Sequence, residues 1–317
     1  MQKRKLGHSG IEISPIVFGG NVFGWTIDEK TSFDILDAFV DHGFDAIDTA
    51  DSYSIWAPGN KGGESETIIG NWLKARPGMR NNVKIFTKIG SDLKQPGQKG
   101  LSKRWILEEV ENSLTRLGIE QIDLYFSHWH DPETPYEETL SAYDTLLKSG
   151  KIRAIGASNH NAAQLGDALD VAKAKTLPPY QVLQPEYNLY DRGGFEGPLA
   201  DLCAKEGLGV ITYYSLASGF LSGKYRGEDD LKQSARGGGI AKYLTDRGLK
   251  ILVALDAVAA HHNASPAEIA LAWLLTRPAV TAPIASATKR SHVESFAKAA
   301  AVQLTAQDTA LLEKASA

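Results

Sequence analysis

The chain contains a single cysteine, Cys203, so it cannot close an internal disulfide and nothing in it calls for an oxidising compartment. That thiol is expected inside a helix as a core group and not as a nucleophile. No apolar run approaches the roughly 18 residues of a membrane span. The basic start, Met1-Gln2-Lys3-Arg4-Lys5, lacks the apolar stretch of a signal peptide. Surplus positive charge is missing too: 34 Lys and Arg against 38 Asp and Glu leave a net charge of −4. That balance argues against a nucleic-acid surface and against a polybasic membrane anchor. No Gly-x-Gly-x-x-Gly follows an early strand, which disfavours an open dinucleotide-binding sheet. A cytoplasmic location is the expectation.

What is present is ordinary in amount and regular in order. The 317 residues are 43% hydrophobic and 23% charged, enough for a large core. Gly7-His8-Ser9-Gly10 reads as the turn of a small hairpin between Arg4–Leu6 and Ile11–Ile13. Short strands are then expected at 16–20, 44–48, 83–87, 122–126, 153–156, 181–184, 208–213 and 282–285. Helices separate them at apolar spacings of three and four, with Ser102 and Gly118 as the cap and stop of one. A glycine-rich stretch from Ala217 to Gly248 is expected to be irregular, with 235–239 as a hinge. Eight strand–helix units imply a (β/α)8 TIM barrel, one domain over 1–317, with an N-terminal β-hairpin and extra helices after strand seven and at the C-terminus.

In such a barrel chemistry collects at the C-terminal strand ends. Asp48 and Tyr53 follow the second strand, Lys88 the third and His128 the fourth; Ser158 and Asn159 follow the fifth, Gln184 the sixth and Tyr214 the seventh. A tyrosine has a reference pKa near ~10 and becomes a usable acid when a cation favours its phenolate. The expectation is therefore that Lys88 lowers the pKa of Tyr53, that Asp48 holds Lys88, and that a neutral His128 holds a carbonyl oxygen. Taken singly, each has a plain alternative: Asp48 as a loop cap, Lys88 as a snorkelling strand end, His128 as a structural histidine. His130 and Asp131 read as surface loop residues.

Six ordered motifs carry a resemblance over essentially the whole chain: Asp-Thr-Ala-Asp-Ser-Tyr (48–53), Ile-Phe-Thr-Lys (85–88), Ile-Asp-Leu-Tyr-Phe-Ser-His-Trp (122–129), Ile-Gly-Ala-Ser-Asn (155–159), Gln-Pro-Glu-Tyr-Asn (184–188) and Tyr-Ser-Leu-Ala-Ser-Gly-Phe-Leu-Ser-Gly-Lys-Tyr (214–225). Together they resemble the aldo-keto reductases. The resemblance implies a catalytic tetrad of Asp48, Tyr53, Lys88 and His128 that reduces aldehydes or ketones, or runs in reverse, with a nicotinamide cofactor. Ser158, Asn159 and Gln184 would then bond the nicotinamide amide, and Tyr214 would stack on its ring. Ser215, Leu216, Ser218, Gly219, Leu221, Gly223 and Lys224 match a pyrophosphate loop. Gly20 and Asn21 join Asp48 near the cofactor, and Ala285, Ser286, Ala287, Thr288, Lys289 and His292 match the adenosine end. Lys289 and Arg290 offer charge for a 2′-phosphate, so NADPH is the preferred cofactor, with NADH left open. Trp25, Trp56 and Trp129 are candidate substrate contacts for a small carbonyl or alcohol. Two other classes remain: an auxiliary cofactor-binding subunit like the channel-associated β subunits, and a metal-dependent barrel isomerase or hydrolase using Asp48, His128, His130 and Asp131. The latter lacks a tight His/carboxylate spacing, and no metal ligand is expected.

Overall fold

A computed structural model of the chain describes residues 1–233 and 237–317. Two short strands, β1 (Arg4–Lys5) and β2 (Glu12–Ile13), pair antiparallel as the expected hairpin. The strands β3 (Val17–Gly19), β4 (Ala46–Asp48), β5 (Lys84–Ile89), β6 (Leu124–Ser127), β7 (Ile155–Ser158), β8 (Val182–Gln184), β9 (Gly209–Thr212) and β10 (Ala282–Ala285) run parallel and close into a barrel in that order, β10 meeting β3. Around them lie α1 (Glu29–Asp41), α2 (Glu64–Ala75), α3 (Lys103–Leu117), α4 (Tyr136–Lys148), α5 (Ala162–Lys175) and α6 (Pro198–Glu206). They continue as α7 (Gly237–Ile240), α8 (Asp246–His262), α9 (Pro266–Thr276), α10 (Arg290–Ala301) and α11 (Ala306–Ser316). The protein is thus a (β/α)8 barrel with an added hairpin and added helices after the seventh barrel strand and at the C-terminus.

Local chemistry explains the boundaries. Ser102 accepts from Trp105 N–H at the start of α3, and Gly118 ends it in a left-handed conformation at φ 63. Asn161 with Gln164, Ser265 with Glu268 and Thr305 with Asp308 form capping boxes. Cys203 is buried in α6, and burial pushes its thiol up to about 12, as suits a core group. Among the described residues, no helix is long and apolar enough to cross a membrane.

Strand periodicity sets what points where. Ala46, Phe86, Phe126, Val182, Ile211 and Ile284 belong to one small buried cluster inside the barrel, joined from below by hairpin residues Leu6, Ile11 and Ile13. Their neighbours Ile47, Ile85, Tyr125, Ile155, Leu183 and Val210 face the helices. A period of two therefore sends Asp48, Lys88, His128, Gln184, Tyr213 and Ser286 inward, one step above the interior layer. The hairpin is clamped by Arg4, whose guanidinium donates to the carbonyls of Leu275 at 3.1 Å and Thr281 at 2.8 Å.

Gly156 lies on β7 where an added Cβ would run into the ring of Phe126. Gly156→Ala must displace that ring within a filled interior, two residues below His128. A loss of about 1–3 kcal/mol in chemical denaturation is expected; an unchanged midpoint would show that the interior has room.

The segment expected to be irregular is more ordered than its glycines suggest. Turns of 3-10 helix cover Ala217–Ser222, Glu228–Gln233 and Ala241–Tyr243, and α8 starts at Asp246 with Thr245 as its cap. Bonds from Arg226 to Asp256 at 2.8–2.9 Å tie the segment to α8, and the Phe220 and Tyr243 rings stack at 5.5 Å. Of the expected hinge, Ala235 and Arg236 lie outside the described residues, and Gly237–Gly239 fall in α7.

Candidate active site

The four charged or polar groups expected to act together do converge. Lys88 Nζ donates to Asp48 Oδ2 at 2.6 Å, to the Thr49 carbonyl at 2.7 Å and to Tyr53 Oη at 2.8 Å. Tyr53 Oη in turn donates to Asp48 Oδ2 at 3.2 Å. Lys88 and Asp48 are 0% and 1% exposed. Tyr53 is aimed by a tight turn: Ser54 takes φ 74 and its hydroxyl donates to the Phe23 carbonyl at 2.6 Å. Asn60 holds the same turn through the carbonyls of Ser54 and Gly24, both at 2.9 Å. The His128 ring lies 6.0 Å from that of Tyr53, with Nδ1 3.0 Å from Ser91 Oγ.

Burial dominates the electrostatics. It pulls the Lys88 ammonium down against the opposing pull of Asp48, and pushes His128 well below the ordinary imidazole range, helped by Lys88. Tyr53 departs from expectation: burial first, then the Asp48 charge and hydrogen bond, hold its phenol well above 10. Asp48, bonded to the phenol as well as to Lys88, adds to that rise. The site therefore rests with a protonated phenol and a neutral imidazole.

These groups open onto a cavity of about 1190 Å³ that runs across the top of the barrel. At one end Trp25 and Trp56 meet edge to face at 5.6 Å, and Trp129 stacks on His128 at 5.7 Å. In the middle, Gln184 Nε2 donates to Asp48 Oδ1 at 2.9 Å, and Ser158 Oγ to the Gln184 carbonyl at 2.8 Å. Asn159 donates to the His128 carbonyl at 2.9 Å and accepts from Tyr213 Oη at 2.6 Å. Tyr214, left-handed at φ 50, stands 48% exposed with its ring on the cavity. Beyond it Ser215, Leu216, Ser218, Gly219 and Lys224 line the wall, Ser218 and Gly219 at φ 58 and 102. At the far end are Asn21, which accepts from Ser286 Oγ at 2.7 Å, with Ala285, Thr288 and His292. His292 is lowered by burial and by Lys289 and Lys224, so positive charge gathers there.

Several expected contacts do not reach this space. Gly20 is pressed against the Asp48 carbonyl and Ser65, and Leu221 is buried in the outer core. Gly223 turns against Arg226 and Pro266. Ala287, two residues past β10, is buried in the outer core, while Lys289 is an exposed cap of α10. Arg290 is taken by Asp34 at 2.7 Å and offers no charge to the cavity. His130 bonds Tyr136 at 2.9 Å, and Asp131 caps the Leu101 and Glu133 amides. Among the described residues, no group of three or more His, Cys, Asp or Glu could hold a metal ion.

Other residues enter unannounced. Tyr213, Ser91, Asp92, Lys94, Ser291 and Ser295 all line the cavity. Tyr213 was readable from strand phase, two residues past inward Ile211. Ser291 and Ser295 stand one turn apart on α10, beside His292. Ser91 and Lys94 lie in a turn whose course no periodicity announces. The set has the chemistry for a nicotinamide dinucleotide: fixed amides, an open aromatic face, left-handed backbone for phosphates, and a helix N-terminus with cations near it.

The family model described as "Aldo/keto reductase family" matches residues 15–317. "Aldo-keto reductase YhdN" of Bacillus subtilis (strain 168) is 34% identical over 324 residues, covering 97% of this chain and 91% of its own. A "Probable voltage-gated potassium channel subunit beta" of Oryza sativa subsp. japonica is 32% identical over 310 residues, 94% of this chain and 91% of its own. An "Uncharacterized 11.2 kDa protein in crtE 3'region" of Pseudescherichia vulneris is 64% identical over 94 residues, 30% of this chain and 91% of its own.

Proposed function

From the chain's membership of the aldo/keto reductase family, an oxidoreductase family that uses nicotinamide cofactors, we propose that this protein reduces small aldehydes or ketones with Tyr53 as proton donor. The observation that carries the reading is the Lys88 ammonium, which touches Asp48 and Tyr53 at once beneath a long cavity. A bound reduced nicotinamide would supply the hydride. Tyr53, held in its acid form, gives its proton to the carbonyl oxygen, and Lys88 at 2.8 Å receives the phenolate that results. Asp48 keeps the ammonium in place, and neutral His128 offers an N–H to the oxygen without competing for the proton. Trp25, Trp56 and Trp129 form apolar walls for the substrate.

Ser158, Asn159 and Gln184 would hold the carboxamide, Tyr214 the ring face, and Ser215–Gly219 the phosphates. Lys224, beside the α10 N-terminus, with His292 as a neutral N–H donor, favours NADPH over NADH. Lys224→Ala is expected to weaken NADPH about tenfold, the worth of one charge-assisted hydrogen bond, and NADH far less. Fluorescence titration with each nucleotide checks this; equal losses would remove the 2′-phosphate role.

The whole reading is tested by adding NADPH and a panel of aldehydes to purified protein and following loss of reduced-nicotinamide absorbance. The channel-subunit relative carries a second reading, a cofactor-binding auxiliary subunit. NADPH binding without turnover of any carbonyl would favour it, and absence of nucleotide binding would sink both.

A further inference from the structure

Three residues beyond β4, Asp51 is sealed inside the protein. Its backbone N–H donates to the Lys88 carbonyl at 3.2 Å, which sets it against the strand end that carries the lysine. Neither oxygen of its carboxyl has a hydrogen-bond partner. An ionised carboxylate left so would be costly, since buried charges are normally paired.

The neighbours supply no pairing. Glu66 on α2 accepts from Thr87 Oγ1 at 2.6 Å and from Arg116 Nε at 2.7 Å. Glu109 on α3 accepts from Arg116 and, at 2.8 Å, from Asn112. On the other side, Lys88 gives its bonds to Asp48, Thr49 and Tyr53. Tyr125 on β6 and Tyr143 on α4 also feel Asp51; the hydroxyl of Tyr125 is itself unpartnered, and that of Tyr143 bonds Ser127 at 2.8 Å. Four buried acids, Asp48, Asp51, Glu66 and Glu109, thus meet two cations, Lys88 and Arg116, and only Asp51 receives no bond from either.

We propose that Asp51 is a positioning residue of the reductase: a neutral acid behind Lys88 whose ionisation adds a negative charge to the back of the site and hinders proton release from Tyr53. This rests on Tyr53 being the donor. Burial, with Glu66 and Glu109 adding to it, holds the Asp51 carboxyl well above the usual range against the weaker opposing pull of Arg116 and the Ser52 backbone N–H. The sign follows. Below its raised pKa Asp51 is neutral and reduction runs at full rate; above it, the new anion disfavours the forming phenolate and the rate falls.

Two readouts test this on the full chain. Infrared spectra of the nucleotide-free protein at neutral pH should contain the carbonyl band of a protonated carboxylic acid, lost in Asp51→Asn and kept in Glu66→Gln. The alkaline fall of reductive kcat should move up by about one pH unit or more in Asp51→Asn, with the KM for NADPH unchanged. If Asp51→Asn does not fold, Asp51→Ser takes its place in both readouts, and the wild-type band must be present at neutral pH and titrate away at high pH. Absence of that band, or a variant profile that superimposes on the wild type, overturns the proposal. A band in a protein that turns over no carbonyl would sink the reductase reading and the positioning role with it, leaving the neutral acid standing.

Discussion

Exchanging Tyr53 for phenylalanine is expected to cut carbonyl-reducing turnover about 10²–10⁴-fold while leaving NADPH affinity intact. The ring stays: its turn is held by Ser54 and Asn60, neither of which touches the hydroxyl. What goes is the one oxygen within 2.8 Å of Lys88 that can carry a proton to the cavity. Lys88 keeps two acceptors, Asp48 and the Thr49 carbonyl, so the ammonium is not stranded. Steady-state kinetics and a parallel nucleotide titration make the measurement. Turnover within a few fold of wild type would take the proton-donor role away from Tyr53, and lost NADPH binding would mean that the phenol shapes the pocket.

The second large effect falls on stability and activity together. Lys88→Met removes a fully buried cation and leaves Asp48 Oδ2 with only the 3.2 Å bond from Tyr53. Breaking one side of a buried pair strands the other charge, so a loss of about 3–5 kcal/mol in denaturant unfolding is expected, with turnover abolished. The double change Lys88→Met with Asp48→Asn separates the two roles. Once the stranded carboxylate is gone most of the stability should return, because a buried pair replaced whole is often nearly neutral. Activity should not return, since nothing then receives the phenolate. A double variant as unstable as the single one would show that Lys88 holds the fold through packing and not through charge.

Much of this was legible because barrel strands obey a simple phase. Ala46, Phe86, Phe126 and Val182 are inward apolar residues, and Asp48, Lys88, His128 and Gln184 each stand two places on. The same phase finds Tyr213, two places beyond inward Ile211. The bounds of α3 are legible in its cap and its stop, Ser102 and Gly118. What stayed hidden depends on distance across the fold. Arg290 looked available until Asp34, 256 residues earlier, was found beside it. The phenol of Tyr53 was expected to be lowered because Lys88 was visible, whereas burial is not a sequence property. In the 217–248 stretch, the described short turns are joined by Arg226, Phe220 and Tyr243 contacts that no local pattern encodes.

The bond from Gln184 Nε2 to Asp48 Oδ1 has a stereochemical consequence. Tied to Asp48 by its amide nitrogen, Gln184 keeps an oxygen that can accept from an N–H, such as a carboxamide brings. A carboxamide entering the pocket is thereby sorted by orientation before any chemistry begins. Half a turn the wrong way would set oxygen against oxygen. On the proposed reading, the carboxylate that steadies the lysine also helps to seat the carboxamide, while Tyr214 covers one face of the ring. The handedness of the product would then depend in part on the same carboxylate that holds the proton machinery together.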